Sequence, residues 1–446
     1  MKQPTPHHTS GDINLGKMIL KTHISYLCGY FASSCDLQQS KLETEGWERI
    51  FCTDKEFDIY DNYYYPEFVA FCHQTASQHG NKSVAKYHKK LNSPVTLSLF
   101  GRKMHSVTVT DVTLYNMPCQ LLLYSIRIEQ TDVDADDVTA SLAILRNITH
   151  YDRNAISKEW FDIIDMLDAI HAEYYSHNTA ALKNNDSDSY QQLIENGNKF
   201  KIFQIALTAS PIDHEAREQL LFEIGTAAPI GSCSTTSPDG TSREYYTSIL
   251  AQNKLSVFNN WTALSLLDSF TIIGHEVKPW QVSNWQSDYF EMIYLHALFR
   301  KFYIYRTNLL FRQGTCRTSQ LVNRFIDFEH FYCFNKISYN FLPLEIQKAI
   351  DKGLEINDEK KQIYHLIEQD NNQQEKMSDK KMNNILIYLT FLTLFSTLWD
   401  CASLLDSVLP YEAVVGNAIN GYRIVTYIFI AVTAVIIFIN RKREKQ

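Results

Sequence analysis

The sequence predicts an α+β domain, a mixed sheet flanked by helices, followed by a long stalk helix and a C-terminal hairpin of two transmembrane helices. Three observations predict it. Two long apolar runs lie near the C-terminus, a highly charged helical stretch leads into the first of them, and strand-like segments fill the middle of the chain.

The first apolar run, Ile385 to Leu405, reads ILIYLTFLTLFSTLWDCASLL, and the second, Ile424 to Ile439, reads IVTYIFIAVTAVIIFI. A spanning helix needs about 20 residues, with about 17 as the lower bound. The second run reaches that length with Tyr422, Arg423 and Asn440 at its ends, and Trp399 and Tyr422 suit the outer interface. Lys380 and Lys381 precede the first run, and Arg441, Lys442, Arg443 and Lys445 follow the second, whereas Asp406 to Gly421 holds no Lys or Arg. The positive-inside rule then places both termini in the cytoplasm, with two passes through an inner membrane. The expected organisation is a cytoplasmic α/β sensor domain over 1–285, helices and stalk over 286–383, spans over 384–405 and 422–440, an external loop over 406–421, and a basic tail over 441–446.

The first span carries more polar groups than an anchor needs. Asn383, Leu386, Thr390, Thr393, Thr397 and Asp400 are spaced 3, 4, 3, 4 and 3 apart. At about 3.6 residues per turn they share one face, within an arc of roughly 100°. A carboxylate in a bilayer is costly unless it faces water or a partner, so Asp400 is expected to point into a protein-lined space. Two helices cannot enclose such a space, but a ring of identical chains can. The expectation is a cation-favouring pore of Thr hydroxyls and Asp400 carboxylates, narrowed at its inner end by Leu386 and Leu389.

Composition agrees with a large folded domain: of 446 residues, 45% are hydrophobic and 13% aromatic. The 42 Lys and Arg against 50 Asp and Glu give no basic excess, so direct DNA or RNA binding is not expected. The nine cysteines stand singly, without C-x-x-C spacing, as expected for free thiols in a reducing compartment. Met1-Lys2-Gln3-Pro4 opens no apolar signal segment, so the N-x-S/T matches at Asn147 and Asn260 carry no meaning.

Upstream of the first span, Leu344 to Lys381 reads as a stalk helix with a solvated outer face, which Gly353 weakens at a cost of about 1 kcal/mol relative to Ala. Two aromatic-rich helices, from Tyr289 and from Ser319, are apolar around most of their circumference and are expected to be buried against the stalk or a neighbouring chain. Strands are expected at Val95, His105, Gln120, Val138, Ile202, Leu255 and Leu264, with helices over Lys158 to Tyr175 and His214 to Ile224. The run from Gly225 to Ser242 reads as a loop without the P-loop pattern.

Few chemical sites stand out. Asp132, Asp134, Asp136 and Asp137 hold oxygen ligands suited to a hard divalent cation, though such a cluster is more often a solvated turn between strands. His7 and His8 lie in a polar N-terminal stretch where no metal role is expected, and His171 and His177 sit near a helix end with no carboxylate at ligand spacing. Nucleophile elbow, H-E-x-x-H and dinucleotide fingerprint are all missing, so no enzymatic activity and no bound cofactor are expected.

A long helix feeding a first membrane helix, then a second helix and a basic tail, resembles the CorA family of divalent cation channels. The local match is KMNNILIYLTFLTLFSTLW, Lys381 to Trp399, which is similar to that family's N-x-x-M-x-x-L-T-x-x-S/T pattern. Asn383, Leu386, Leu389, Thr390 and Thr393 fall on it, with Leu386 in place of methionine. The resemblance implies a homopentamer in the lipid bilayer, with a divalent cation such as magnesium as substrate or regulator. The family's closing Gly-Met-Asn is replaced by Ser407, Val408 and Leu409, which puts magnesium selectivity in doubt. CorA-like proteins lacking that motif include the membrane effectors of type III CRISPR systems, which imply a small nucleotide activator, an adduct of S-adenosylmethionine with AMP. The abundance of Asn, Lys, Ile and Tyr fits a bacterial source. A constitutive divalent-cation transporter and a membrane-anchored binding or scaffold domain stand as the alternatives.

Overall fold

The computed structural model describes residues 18–32, 39–75, 83–99, 103–148, 153–175, 199–233, 240–313, 318–408 and 427. The chain divides into two compact units, Met1–Tyr364 and His365–Gln446.

The first unit is built on a sheet of nine strands among the described residues: β1 Ile19–Ala32, β2 Glu48–Ile50, β3 Ala85–Ser98, β4 Met104–Met117, β5 Leu121–Asp134, β6 Lys201–Thr208, β7 Lys254–Phe258, β8 Trp261–Ser265 and β9 Ser269–Gly274. Their order is β2-β3-β4-β5-β1-β6-β9-β8-β7. Neighbours run antiparallel except β6 and β9, which are parallel, so the sheet is mixed as expected. The central β1 pairs with β5 from Ile19↔Asp134 to Ala32↔Leu121 and with β6 on its other edge. Residues His23 to Phe31 are buried on both faces, which blurs the polar alternation by which a half-exposed strand is recognised. No strand was expected over β1 for that reason.

The helices are α1 Gln39–Thr44, α2 Asp54–Asp61, α3 Pro66–Cys72, α4 Ala135–Leu145, α5 Lys158–Tyr175, α6 His214–Thr226, α7 Arg243–Asn253 and α8 Pro279–Asn284. A π-helix, Trp285–Tyr294, then leads into α9 Leu295–Gln313, α10 Thr318–Tyr332, α11 Phe341–Gly353 and α12 Ile356–Val408. The expected helices over Lys158–Tyr175 and from His214 are present; Asp213 caps the latter by accepting the Ala216 amide at 2.7 Å.

One face of the sheet carries an aromatic layer. Tyr26 of β1 stacks on Phe290 at 3.8 Å between centroids, and Tyr30 stacks on Phe302 at 4.0 Å. Phe203 of β6 meets Phe270, Phe290 and Tyr294. The first aromatic helix is thus buried against the sheet, whereas α10 packs on α9 through Phe328 and leaves Ile326 and Phe331 exposed, so it is buried on one face only. A second apolar cluster joins Leu27, Phe31, Ile126 and Ile128 to Val138 and Leu142 of α4, Trp160 and Leu167 of α5, and Leu220 and Ile224 of α6. Fully burying one such side chain contributes about 1.5–3 kcal/mol, so the two layers hold the sheet from both sides.

A polar row crosses five strands inside this frame. Gln130 Nε2 of β5 lies 2.8 Å from His105 Nε2 of β4, and His23 of β1 is the register partner of Gln130. His23 Nε2 donates to Gln204 Oε1 of β6 at 3.3 Å, and Gln204 Nε2 donates to Thr271 Oγ1 of β9 at 3.0 Å and to the Ile224 carbonyl at 3.1 Å. Burial pulls the His23 imidazole down to about 4, so it is neutral at pH 7.

Three expected elements are corrected. Val138 to Leu145, read as a strand, lies within α4, because Asp134 caps the segment and Ala135, Val138, Leu142 and Leu145 bury one helical face. Leu264 to Ile273 is not one strand but the end of β8, a turn and β9. The stalk is not continuous from Leu344: α11 ends at Gly353, and α12 begins at Ile356 after Glu355 in the left-handed region at φ 56. Gly353 is required less for a bend than for contact, since a Cβ there would lie 2.1 Å from Ser265 Oγ and 2.7 Å from the Ser265 carbonyl carbon.

Candidate functional site: an apolar helix and two clefts

α12 is a 53-residue helix whose apolar window has mean hydropathy 1.3 and no buried residue, long and apolar enough to cross a membrane. The expected pore residues Asn383, Leu386, Leu389, Thr390, Thr393, Thr397 and Asp400 all lie on this helix and are all exposed. The threonine hydroxyls bond back to their own helix: Thr390 donates to the Leu386 carbonyl at 2.7 Å, Thr393 to Thr390 at 2.8 Å, and Thr397 to Thr393 at 2.6 Å. That pairing satisfies each hydroxyl without a neighbouring chain while leaving its oxygen lone pairs on the helix surface. Residues 406–408 of the expected external loop are instead the last residues of α12; the rest of that loop, the second apolar run and the basic tail lie outside the described residues, apart from helical, exposed Tyr427.

The first turns of α12, up to Tyr364, are gripped by charge. Lys301 of α9, only 2% exposed, donates to the Leu354 carbonyl at 2.7 Å and to Glu359 Oε1 at 2.6 Å. Its neighbour Arg300 forks onto Asp351 of α11, with Nη1 3.0 Å from Oδ2. Glu329 of α10 takes both the Lys360 ammonium and the Tyr364 hydroxyl. Breaking a buried ion pair by removing one partner costs about 3–5 kcal/mol, so the α11–α12 junction is held firmly. A cleft of about 350 Å³ opens beside this junction, lined by Arg300, Cys333, Phe334, Asp351, Asn357 and Lys360. Its cations are largely neutralised, Arg300 by Asp351, Lys348 by Glu345 and Lys360 by Glu329.

A larger cleft, about 480 Å³, lies between α9, α10 and the β4–β5 turn. α9 contributes Tyr303, Arg306, Thr307 and Leu310, spaced so that they share one helical face. α10 contributes Arg324, Phe328 and Phe331, among others. Tyr303 and Phe328 stack at 3.7 Å with planes 12° apart, forming an aromatic wall. Arg306 Nη1 donates to the Cys119 carbonyl at 3.3 Å. Burial pushes the Cys119 thiol up to about 12 and that of Cys333 up to about 11, so neither is an activated nucleophile.

The acidic cluster has fold-level duties. Asp134 accepts the Asp136 amide at 3.1 Å as the α4 cap, Asp137 pairs with Lys103 at 2.6 Å, and Asp132 takes a left-handed φ of 49. It lies between β5 and a helix, not between two strands as expected. Among the described residues no group of three or more His, Cys, Asp or Glu is placed to hold a metal ion. The loop after α6 has its own anion: Glu223 Oε1 accepts the Cys233 amide at 3.1 Å.

Sequence reading missed Lys301, Glu359, Arg306 and Arg324. Lys301 and Arg306 sit on aromatic-rich α9, where a charged residue is the anomaly that could have flagged them, whereas Glu359 lies in a charged stretch that hides it. No protein-family model matches the chain, and neither a curated protein nor a solved structure matches it significantly.

Proposed function

We propose that the chain is a non-enzymatic, CorA-like membrane protein that assembles as a homo-oligomeric ring, a pentamer by that resemblance, and conducts cations under control of its cytoplasmic sheet domain. The observation that carries this reading is α12, on which an exposed apolar surface is interrupted along one face by Asn383, Thr390, Thr393, Thr397 and Asp400. The Asp400 carboxylate on that face is costly in a bilayer unless it meets water or a polar partner, although the threonine hydroxyls are satisfied within the helix. Residues 424–439 complete a hairpin with both termini in the cytoplasm. The ion pairs of Lys301 and Lys360 tie the first turns of α12 to α9 and α10, so a ligand that displaces those helices would act on the helix that enters the membrane. A small nucleotide is the activator the resemblance points to, and a divalent cation the conducted or regulating ion.

The test is ion flux into liposomes bearing the purified protein, with nucleotides and magnesium varied. Thr393→Leu and Asp400→Leu should each lower flux without changing oligomer size in detergent. A monomer, or unchanged flux in both variants, would end the proposal. The back-bonded threonines favour a second reading, a membrane-anchored domain without a pore, which that same loss of effect would select.

A further inference from the structure

We infer that the cleft between α9, α10 and the β4–β5 turn is a binding site for a small aromatic anion: a planar ring carrying a phosphate or carboxylate. Its volume of about 480 Å³ lies within the roughly 300–1,000 Å³ usual for ligand pockets. One wall is the stacked pair Tyr303 and Phe328, and at the mouth Phe331 keeps 45% of its surface exposed. An exposed aromatic side chain beside a stacked pair provides a face for a flat ring.

The charge in the cleft supplies the second half of the recognition. Arg306 donates to backbone carbonyls of Cys119 and Gln120, at 3.3 and 3.5 Å, and forms no ion pair with a carboxylate among the described residues. Arg324 is exposed, and no partner for its guanidinium occurs among the described residues. Asp327 is the one acidic residue in the lining. The junction cleft differs in degree, because three of its four cations, Arg300, Lys348 and Lys360, meet Asp351, Glu345 and Glu329, with Lys336 the fourth. Two guanidiniums that form no ion pair among the described residues, beside an aromatic wall, fit an oxyanion attached to a ring, since Arg forks match phosphate and carboxylate geometry. Cys119 and Gln120 both take φ 60, as the tight turn that closes the β4–β5 hairpin requires.

The site would supply the sensory half of the reading above, yet it is tested by binding alone, so its failure and the failure of conduction are separate results. Calorimetric titration of the full chain in detergent uses adenosine monophosphate and 2-naphthoate as ring-bearing anions, with adenosine and inorganic phosphate as controls. At least one ring-bearing anion should bind, with both controls at least about tenfold weaker. Arg324→Gln and Phe331→Ala should each weaken that binding by about tenfold. Replacing Arg324, whose guanidinium has no partner among the described residues, should leave the melting temperature unchanged. Three results would overturn the assignment: no binding of either ring-bearing anion below about 1 mM, phosphate binding as tightly as the ring-bearing anion, or affinity unchanged in both variants.

Discussion

The sheet domain and the apolar helix satisfy their polar side chains in opposite ways. In the sheet, Gln204 is paired with His23 from a strand 181 residues away in sequence and with Thr271 from another strand. On α12, Thr390, Thr393 and Thr397 use carbonyls three or four residues back on the same helix. The sheet depends on tertiary partners, so its interior is sensitive to volume and burial. The helix is self-sufficient in hydrogen bonding, and its sensitivity is to the medium around it.

Substitutions can break or sharpen that contrast. The largest effect is expected from Phe203→Ala, which opens a cavity among Tyr26, Phe270, Phe290 and Tyr294. A loss of about 3–5 kcal/mol in a denaturant titration is expected. Next is Phe395→Asp, within the apolar window of α12. It should cost about 2.5–3.5 kcal/mol of insertion and shift the protein out of the carbonate-resistant membrane fraction, with the sheet domain's melting unchanged. Gly353→Ala should lower stability by about 1–3 kcal/mol, read as a drop in melting temperature, because the new methyl meets the Ser265 backbone. If Phe395→Asp also melted the sheet domain, or Gly353→Ala left it untouched, the contrast would fail.

The smallest effect is with pH. His23 is held at about 4 in the fold against 6.5 unfolded, by burial that its bond to Gln204 only partly offsets. Burial also lowers His73, His296 and His105. Between those limits the unfolded chain binds the proton and the native chain does not. The stabilisation is therefore present above pH 6.5 and is lost as pH falls toward 4. From pH 7 to pH 6 it should amount to roughly 0.7 kcal/mol for His23, checked by melting at each pH, and His23→Gln should flatten the slope.

Local signals in the sequence were enough for much of the fold. Asp213 and the residues after it mark α6, and Lys158 to Tyr175 has the helical period of α5. Alternation marks β4 and β5, and length with hydropathy marks the apolar part of α12. The candidate pore face was readable because helical spacing alone puts Asn383 to Asp400 on one side. Where the signal was not local, reading failed. β1 loses its alternation by being central, and α4 was mistaken for a strand until its cap and buried face were seen.

A single segment specifies its own helical period, strand alternation, caps, and an apolar length matched to a bilayer. Only the tertiary structure decided that β1 lies between β5 and β6, that Gly353 fits against Ser265, and that Lys301 meets Glu359. It also decided that Arg306 and Arg324 share one cleft. Those facts depend on pairs far apart in the chain, whose meeting is set by the burial of whole faces, and no local pattern encodes which distant partner a buried charge or glycine will find.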